Sequence, residues 1–365
     1  MKVLIDIGHP AHVHYFKYTI SKLKNNGNSV IVIAREKEIT FDLLNAYSIP
    51  FISRGKGKQT LAGKFFYLFY GTYKIFITAW KYKIDCYLSF ASPYNALASL
   101  FYRKPNITFD DTEHNIFNHR LYTPFSDAIF TPEFFKKSFG KKHFRFQGTM
   151  DSAYLHPAYF ESKGVIFPER TDKSAGKKKI ILRIVSWNAT HDINQHGFSP
   201  DDISRLIDVL SEYADVYVST ETQLPDHLDK YLLKIKPEDM HYYMNRADLF
   251  IGESGSMATE AAYLGTHSIV LNSASHEFGV FDWFSAYKTF HIADDFNEVI
   301  AISIELLGKD DLKSESKAEA DLIIKNSVCL TDFIFWLITH YPESIYKLKD
   351  NNGKWSDQWI QSCQN

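Results

Sequence analysis

Three stretches of this 365-residue chain carry residue types whose spacing could do chemistry. The first runs Leu249-Phe250-Ile251-Gly252-Glu253-Ser254-Gly255-Ser256-Met257-Ala258-Thr259-Glu260. An apolar strand ends at Ile251, and a loop of small residues lets a ligand approach the backbone. A helix then begins near Ser256 with unsatisfied N–H groups and a positive dipole end, which suits a phosphate. Glu260 falls one turn on from Ser256 on the same face, where its carboxylate could accept hydrogen bonds from a ribose diol. The plain alternative is a tight turn that binds nothing.

The second stretch is Thr108-Phe109-Asp110-Asp111-Thr112-Glu113-His114-Asn115. Carboxylates at the end of a strand could supply acid and base for abstracting a proton from a sugar carbon or hydroxyl, with Asp111 and Glu113 as the candidates. They could equally be solvated turn carboxylates that cap the next helix. The third stretch is Gly8-His9-Pro10-Ala11-His12-Val13-His14. The spacing of His9, His12 and His14 suggests a metal only superficially, because no suitably spaced carboxylate completes the set; no metal and no other cofactor is expected.

These stretches need elements to hold them. Lys2–Ile7 reads as a strand, Gly8 to His14 as a loop, Tyr15 to Asn25 as an amphipathic helix ended by Asn26-Gly27, and Ser29–Ala34 as a strand apolar throughout. That is a βαβ unit with strands buried on both faces. The alternation continues through strands at 85–90, 106–109 and 127–130, with a helix from Pro93 to Phe101. It lapses around Pro157 and Pro168 and in the polar run Arg170 to Lys179, then resumes with strands at 180–185, 216–219, 249–252 and 268–271. Helices are expected at 201–213, after Ser199-Pro200, and at 256–264. The expected organisation is an α/β chain with a first domain over 1–165, a linker over 166–179 and a second domain over 180–330. A C-terminal helix within 331–365 is expected to pack back on the first domain. Two Rossmann-like, doubly wound domains of this kind face each other across a cleft at the carboxyl ends of their strands.

With the elements placed, the glycine-rich strand–loop–helix around Glu253-Ser254-Gly255-Ser256 resembles the donor-nucleotide loop of two-domain sugar-nucleotide enzymes of the GT-B type. These are peptidoglycan-type N-acetylglucosaminyltransferases and non-hydrolysing UDP-N-acetylglucosamine 2-epimerases. Gly8-His9-Pro10-Ala11-His12-Val13 is similar to their G-x-x-G-H-V turn, with Ala11 replacing the second glycine. The combination with Ser186-Trp187-Asn188-Ala189 resembles, more narrowly, a domain-of-unknown-function family grouped with those epimerases. The resemblance implies that His12 faces an acceptor and could take its proton, a role suited to an imidazole titrating near ~6.5. It implies contacts to the donor or its diphosphate from Gly8, His9, Arg183, Ser186, Asn188, Glu253, Ser254, Gly255 and Ser256, and a place for a uracil edge near Lys234-Ile235-Lys236-Pro237. Arg183 could instead be an ordinary ion-pair partner. The epimerase G-L-R that should follow the acidic stretch is replaced by Asn115-Ile116-Phe117, which weighs against 2-epimerisation. The implied activity is transfer of a sugar from a nucleotide-diphosphate donor to an acceptor hydroxyl, with a sugar-nucleotide epimerase or a non-catalytic sugar-nucleotide sensor as alternatives.

Composition bounds the partners. Forty-one basic against 43 acidic residues leave a net charge of −2, too weak a field for general nucleic-acid binding. Cys86, Cys329 and Cys363 form no disulfide or zinc pattern, and the opening apolar run is far shorter than a signal peptide's ~7–15 residues. A cytoplasmic protein is expected. Aromatics make up 16% of the chain, more than two cores require, and many lie in Phe65-Phe66-Tyr67-Leu68-Phe69-Tyr70-Gly71-Thr72-Tyr73-Lys74-Ile75-Phe76-Ile77-Thr78-Ala79-Trp80. Lys74 leaves this window short of the ~20 apolar residues a span needs. Residues 56–83 therefore read either as a helix lying on the inner face of a membrane, where a lipid-linked acceptor would sit, or as a helix buried on its sheet.

Overall fold

The computed structural model describes residues 1–58, 60–170, 176–185, 198–271 and 279–350. They form two compact units, one comprising Met1–Phe160 and the chain from Asn326 onward, the other Glu161–Lys325.

The first unit runs β1 (Lys2–Ile7), α1 (Pro10–Asn25), β2 (Ser29–Glu36), α2 (Thr40–Ala46), β3 (Phe51–Lys56), α3 (Leu61–Tyr82), β4 (Cys86–Phe90), α4 (Pro93–Tyr102), β5 (Asn106–Phe109), α5 (Ile116–Tyr122), β6 (Ala128–Pro132) and β7 (His143–Phe146). Its sheet is parallel in the order β3-β2-β1-β4-β5-β6-β7. Val3, Leu4, Ile5 and Ile7 are fully buried, as expected of a strand covered on both faces. The chain leaves β1 toward β2 and β3 and returns on the other side as β4. The gap beyond the carboxyl ends of β1 and β4 is therefore a switch point, where open α/β sheets bind ligands.

The second unit runs β8 (Lys178–Ile184), α6 (Pro200–Ser211), β9 (Ala214–Thr220), α7 (Met240–Arg246), β10 (Leu249–Gly252), α8 (Gly255–Tyr263), β11 (His267–Leu271), α9 (Gly279–Phe284), β12 (Phe290–Ala293), α10 (Phe296–Leu307) and α11 (Leu312–Lys325). Its parallel order is β12-β11-β10-β8-β9, with the switch point between β8 and β10. Residues 161–170 pack on this unit: Phe167 lies against Tyr217 and Tyr243, and the Arg170 guanidinium stacks on Tyr217 at 4.3 Å. The chain then returns to the first unit as α12 (Leu330–Thr339), packed on α1, and α13 (Glu343–Asp350).

One local expectation is corrected. The histidine-rich stretch is not a loop up to His14, because α1 starts at Pro10 with His9 as its cap, its Nδ1 accepting the Ala11 amide at 3.2 Å. Proline's fixed φ suits the first helical position. His12 and His14 therefore stand on the helix itself.

Candidate functional site

In the first unit, the β1–β4 switch point is built around a buried ion pair. Asp6, at the end of β1, holds Arg54 of β3 through Nε at 2.8 Å, and both side chains are almost wholly buried. The Ser92 hydroxyl, at the cap of α4, donates to the other Asp6 oxygen. Arg54 Nη1 donates to the Tyr67 hydroxyl at 2.8 Å, and the guanidinium stacks on Tyr94 at 4.3 Å. A charge that far from water persists only with every partner in place. Neither Asp6 nor Arg54 stood out in the sequence; the signal that could have found Asp6 is a lone carboxylate inside an otherwise apolar strand.

Gly8 follows directly, its position 3.4 Å from Arg54 Nη2 where a Cβ would stand. Its amide donates to His12 Nδ1 at 3.2 Å. The His12 ring packs on Phe90 and Tyr15, with centroids 4.8 and 6.0 Å away. Burial, then the neighbouring His9, Lys37 and Arg54, lower its pKa well below the usual value, so the ring is neutral. A neutral imidazole whose Nδ1 accepts carries its proton on Nε2 and presents a donor. In this tautomer the ring presents Nε2–H as a hydrogen-bond donor to an oxygen. The Nδ1 atoms of both His9 and His12 accept backbone amides. Among the described residues no group of three metal-ligating side chains occurs.

The acidic stretch follows β5, and its carboxylates have separate fates. Asp110 is buried, accepting from the Tyr122 hydroxyl and the Thr112 amide, with His119 Nε2 at 3.1 Å. Glu113, expected as an acid or base, accepts the Lys136 amide through Oε1 and so ties the stretch after β5 to the one after β6. Asp111 differs. Burial first, then the nearby Asp110, Asp151 and Glu113 carboxylates, push its carboxyl up to about 7 against a weaker pull from Thr112, whose hydroxyl donates to it at 3.2 Å. A carboxyl tuned to neutrality is suited to proton transfer. Asp151, missed in the sequence, links this corner to the His12 corner. It accepts from the Tyr154 hydroxyl at 3.1 Å, and Tyr154 packs on Tyr15, which packs on His12.

In the second unit, β10 ends at Gly252, and Ser254 caps α8 by accepting the Met257 amide at 3.4 Å. Ser254 and Gly255 are half-exposed and Ser256 is exposed, so the amide-rich start of the helix meets solvent. Gly255 must be glycine because a Cβ would stand 2.6 Å from the Phe281 ring. Both Glu253 oxygens accept backbone amides, from Val185 at 2.9 Å and from Phe198, so the residue ties Val185 at the end of β8 to Phe198 ahead of α6. The Arg183 guanidinium turns toward β9, where it meets the Ser219 hydroxyl at 2.8 Å and pairs with the Glu221 carboxylate. Ser186 and Asn188 lie outside the described residues. Glu260 is buried one turn into α8, with His241 Nε2 3.2 Å from its Oε1.

The comparisons agree with this architecture. Residues 1–331 match the family described as "Protein of unknown function (DUF354)". An uncharacterised protein of Methanocaldococcus jannaschii is 24% identical over 291 residues, covering 74% of this chain and 81% of its own. Among solved structures, a Listeria monocytogenes protein assigned as a UDP-N-acetylglucosamine 2-epimerase is similar at a TM-score of 0.70, 15% identity, and 94% and 97% coverage of the two chains. The Neisseria meningitidis UDP-GlcNAc 2-epimerase, solved with UDP-GlcNAc, follows at 0.60, 16%, and 89% and 100%. A spinosyn rhamnosyltransferase, solved with thymidine diphosphate, gives 0.56, 15%, and 88% and 96%. At these identities the likeness shows the fold: two parallel α/β sheets of the GT-B type, shared by epimerases and glycosyltransferases.

Proposed function

The chain belongs to the DUF354 family, and from that premise we propose that it is a glycosyltransferase that takes a nucleotide-diphosphate sugar on its second unit and an acceptor hydroxyl on its first. The observation that carries this reading is the solvent-exposed, amide-rich start of α8 at the β8–β10 switch point, with Glu260 one turn behind it. Unpaired helix amides and the positive end of the helix dipole are suited to a diphosphate, and they stabilise it most as it leaves with its full charge. Glu260, oriented by His241, accepts from the ribose hydroxyls.

On the first unit the proton acceptor is Asp111. As the acceptor oxygen bonds to the anomeric carbon, the bond from that carbon to the diphosphate breaks. The diphosphate departs as the anion, and the acceptor proton passes to the Asp111 carboxylate. His12 Nε2–H donates to a sugar or acceptor oxygen and orients it. The second reading, an epimerase, is favoured by one specific feature, the cluster of Asp110, Asp111 and Asp151 around a carboxyl poised near neutrality.

Incubation with UDP-N-acetylglucosamine in deuterated water separates the two. A transferase releases UDP, faster with acceptor, and leaves C2 protonated, whereas an epimerase puts deuterium at C2. Glu260→Ala is expected to weaken UDP binding in calorimetry at least about tenfold, a change of ~1.4 kcal/mol. Equal affinity in both proteins would remove the nucleotide from α8.

A further inference from the structure

Helix α3 turns a broad aromatic face outward. Its inward face carries Tyr67, Gly71, Ile75, Thr78 and Ala79, and Gly71 lies so close to Tyr94 that a Cβ there would stand 2.7 Å from the ring. Its outward face carries Phe65, Phe66, Phe69, Tyr70, Tyr73, Ile77 and Trp80, all exposed, with Phe66 at 71% and Trp80 at 70%. At ~100° per residue these side chains fall within an arc of about 140°. Phe76 carries the apolar surface across to Phe101 of α4, itself 73% exposed, at a ring distance of 5.4 Å. Soluble proteins seldom leave so continuous an aromatic surface in water without a partner for it.

The charge around the patch has one sign. From residue 43 to residue 84 the chain has no Asp or Glu but seven Lys or Arg, although the whole molecule is slightly acidic. Lys56, Lys58, Lys64, Lys81 and Lys83 are exposed around α3, as are Arg103 and Lys104 at the end of α4. Lys74 lies along the edge of the aromatic arc, its ammonium 5.5 Å from the Tyr70 ring.

We propose that this face of α3 and α4 docks on an anionic lipid bilayer. Trp and Tyr rings with a polar tip, Phe rings below them and a lysine collar are the residue types that settle at a membrane–water boundary. The collar adds attraction to acidic headgroups. A second copy of the chain would bring the same basic collar against itself, whereas an anionic surface complements it. The helix is surface-lying, since Lys74 interrupts the apolar run and the inward face is committed to the protein. Tyr67, on that inward face, reaches Arg54, so the docked helix also walls the β1–β4 switch point. The acceptor side of the proposed reaction then works beside the membrane.

The test is flotation of the full chain with vesicles of phosphatidylcholine alone and of phosphatidylcholine mixed with phosphatidylglycerol. Its outcome is independent of sugar-nucleotide binding. The expected result is flotation with the mixed vesicles, falling with salt and abolished in Phe66→Glu/Trp80→Glu. Each of Lys74→Gln and Lys81→Gln should weaken partitioning about fivefold, the equivalent of ~1 kcal/mol per basic residue. All these side chains are on the surface, so unchanged thermal unfolding is expected to show that the variants are folded. Failure of the wild type to float, or flotation of the glutamate variant like wild type, overturns the proposal. If the wild type instead stays in the aqueous fraction as a dimer that Phe66→Glu/Trp80→Glu dissociates, the occupant is a second copy.

Discussion

Asp111 is the residue on which proton transfer turns in the proposed reaction. With its carboxyl near 7, the rate should rise with pH through about 7 and then level off as the base form fills. Asp111→Asn keeps the shape and removes the titratable, basic carboxylate, so turnover should fall by ~10²–10⁴ with little change in UDP affinity. Steady-state rates and calorimetry check both parts. The same carboxyl makes a stability prediction of definite sign. Its folded pKa is raised above the usual ~3.9, so the folded state holds this proton more tightly than the unfolded chain. Its contribution is therefore most favourable below about 4, declines as pH rises to about 7, and is flat above. Urea denaturation across that window should show the decline in wild type and its loss in Asp111→Asn. His12 behaves in the opposite way: held neutral by burial, its ring should show no protonation step near ~6.5 in an NMR titration. The histidine was legible as a candidate from its motif, but its role was not, because the tautomer depends on the Gly8 amide. The Asp6–Arg54 pair was invisible for a related reason, since its two members lie 48 positions apart.

At the scale of elements, strands buried almost throughout were legible, the edge strand β9 among them, and strands of mixed burial were not. β1, β2 and β10 read as largely apolar runs, β1 interrupted by Asp6, because both faces are covered. β3 and β7 at the two ends of the first sheet and β12 at one end of the second carry mixed burial: Phe51–Lys56 shows no period, and His143–Phe146 alternates but is only four residues long. α3 was legible as an amphipathic helix, but which face turned inward depended on Gly71 admitting Tyr94, which no pattern announces. The start of α8 offers a sharp test of close packing. A Cβ at Gly255 overlaps the Phe281 ring, so Gly255→Ala should cost about 1–3 kcal/mol of second-unit stability, as overpacking does. Phe281→Leu should recover part of that loss in the double variant, so a double-mutant cycle by denaturant titration should give a favourable coupling energy. Additive losses would show that the ring yields and that the glycine serves something else. Glu253→Ala should also destabilise this unit, leaving the Val185 and Phe198 amides unpaired at ~1–3 kcal/mol each.

At the scale of the whole molecule, the second unit is an insertion within the first, and the two should differ in independence. The buried apolar cluster under β8–β11 is made entirely of residues between Ile180 and Leu312, all supplied by residues 161–325. The first unit borrows its last layer from the chain's return. Phe333 packs on Phe130 at 5.5 Å, Thr331 donates to the Ala153 carbonyl at 2.6 Å, Val328 donates to Gln147, and Asp332 takes both Lys22 and Tyr159. Leu330, Phe333, Ile334, Leu337 and Ile338 are all buried. At ~1.5–3 kcal/mol each, their combined loss is as large as the ~5–15 kcal/mol margin by which a domain is folded. A fragment of residues 1–160 should therefore show no cooperative thermal transition. A fragment of residues 161–325 should unfold cooperatively and, if the diphosphate docks on α8, should be stabilised by UDP without the first unit. At a ligand concentration of 100 times Kd the gain is ~2.7 kcal/mol, or a Tm increase of about 5–10 °C for a domain of this size. A folded fragment whose Tm ignores UDP would mean that the nucleotide site needs residues of the first unit, because α8 and Glu260 are intact in it.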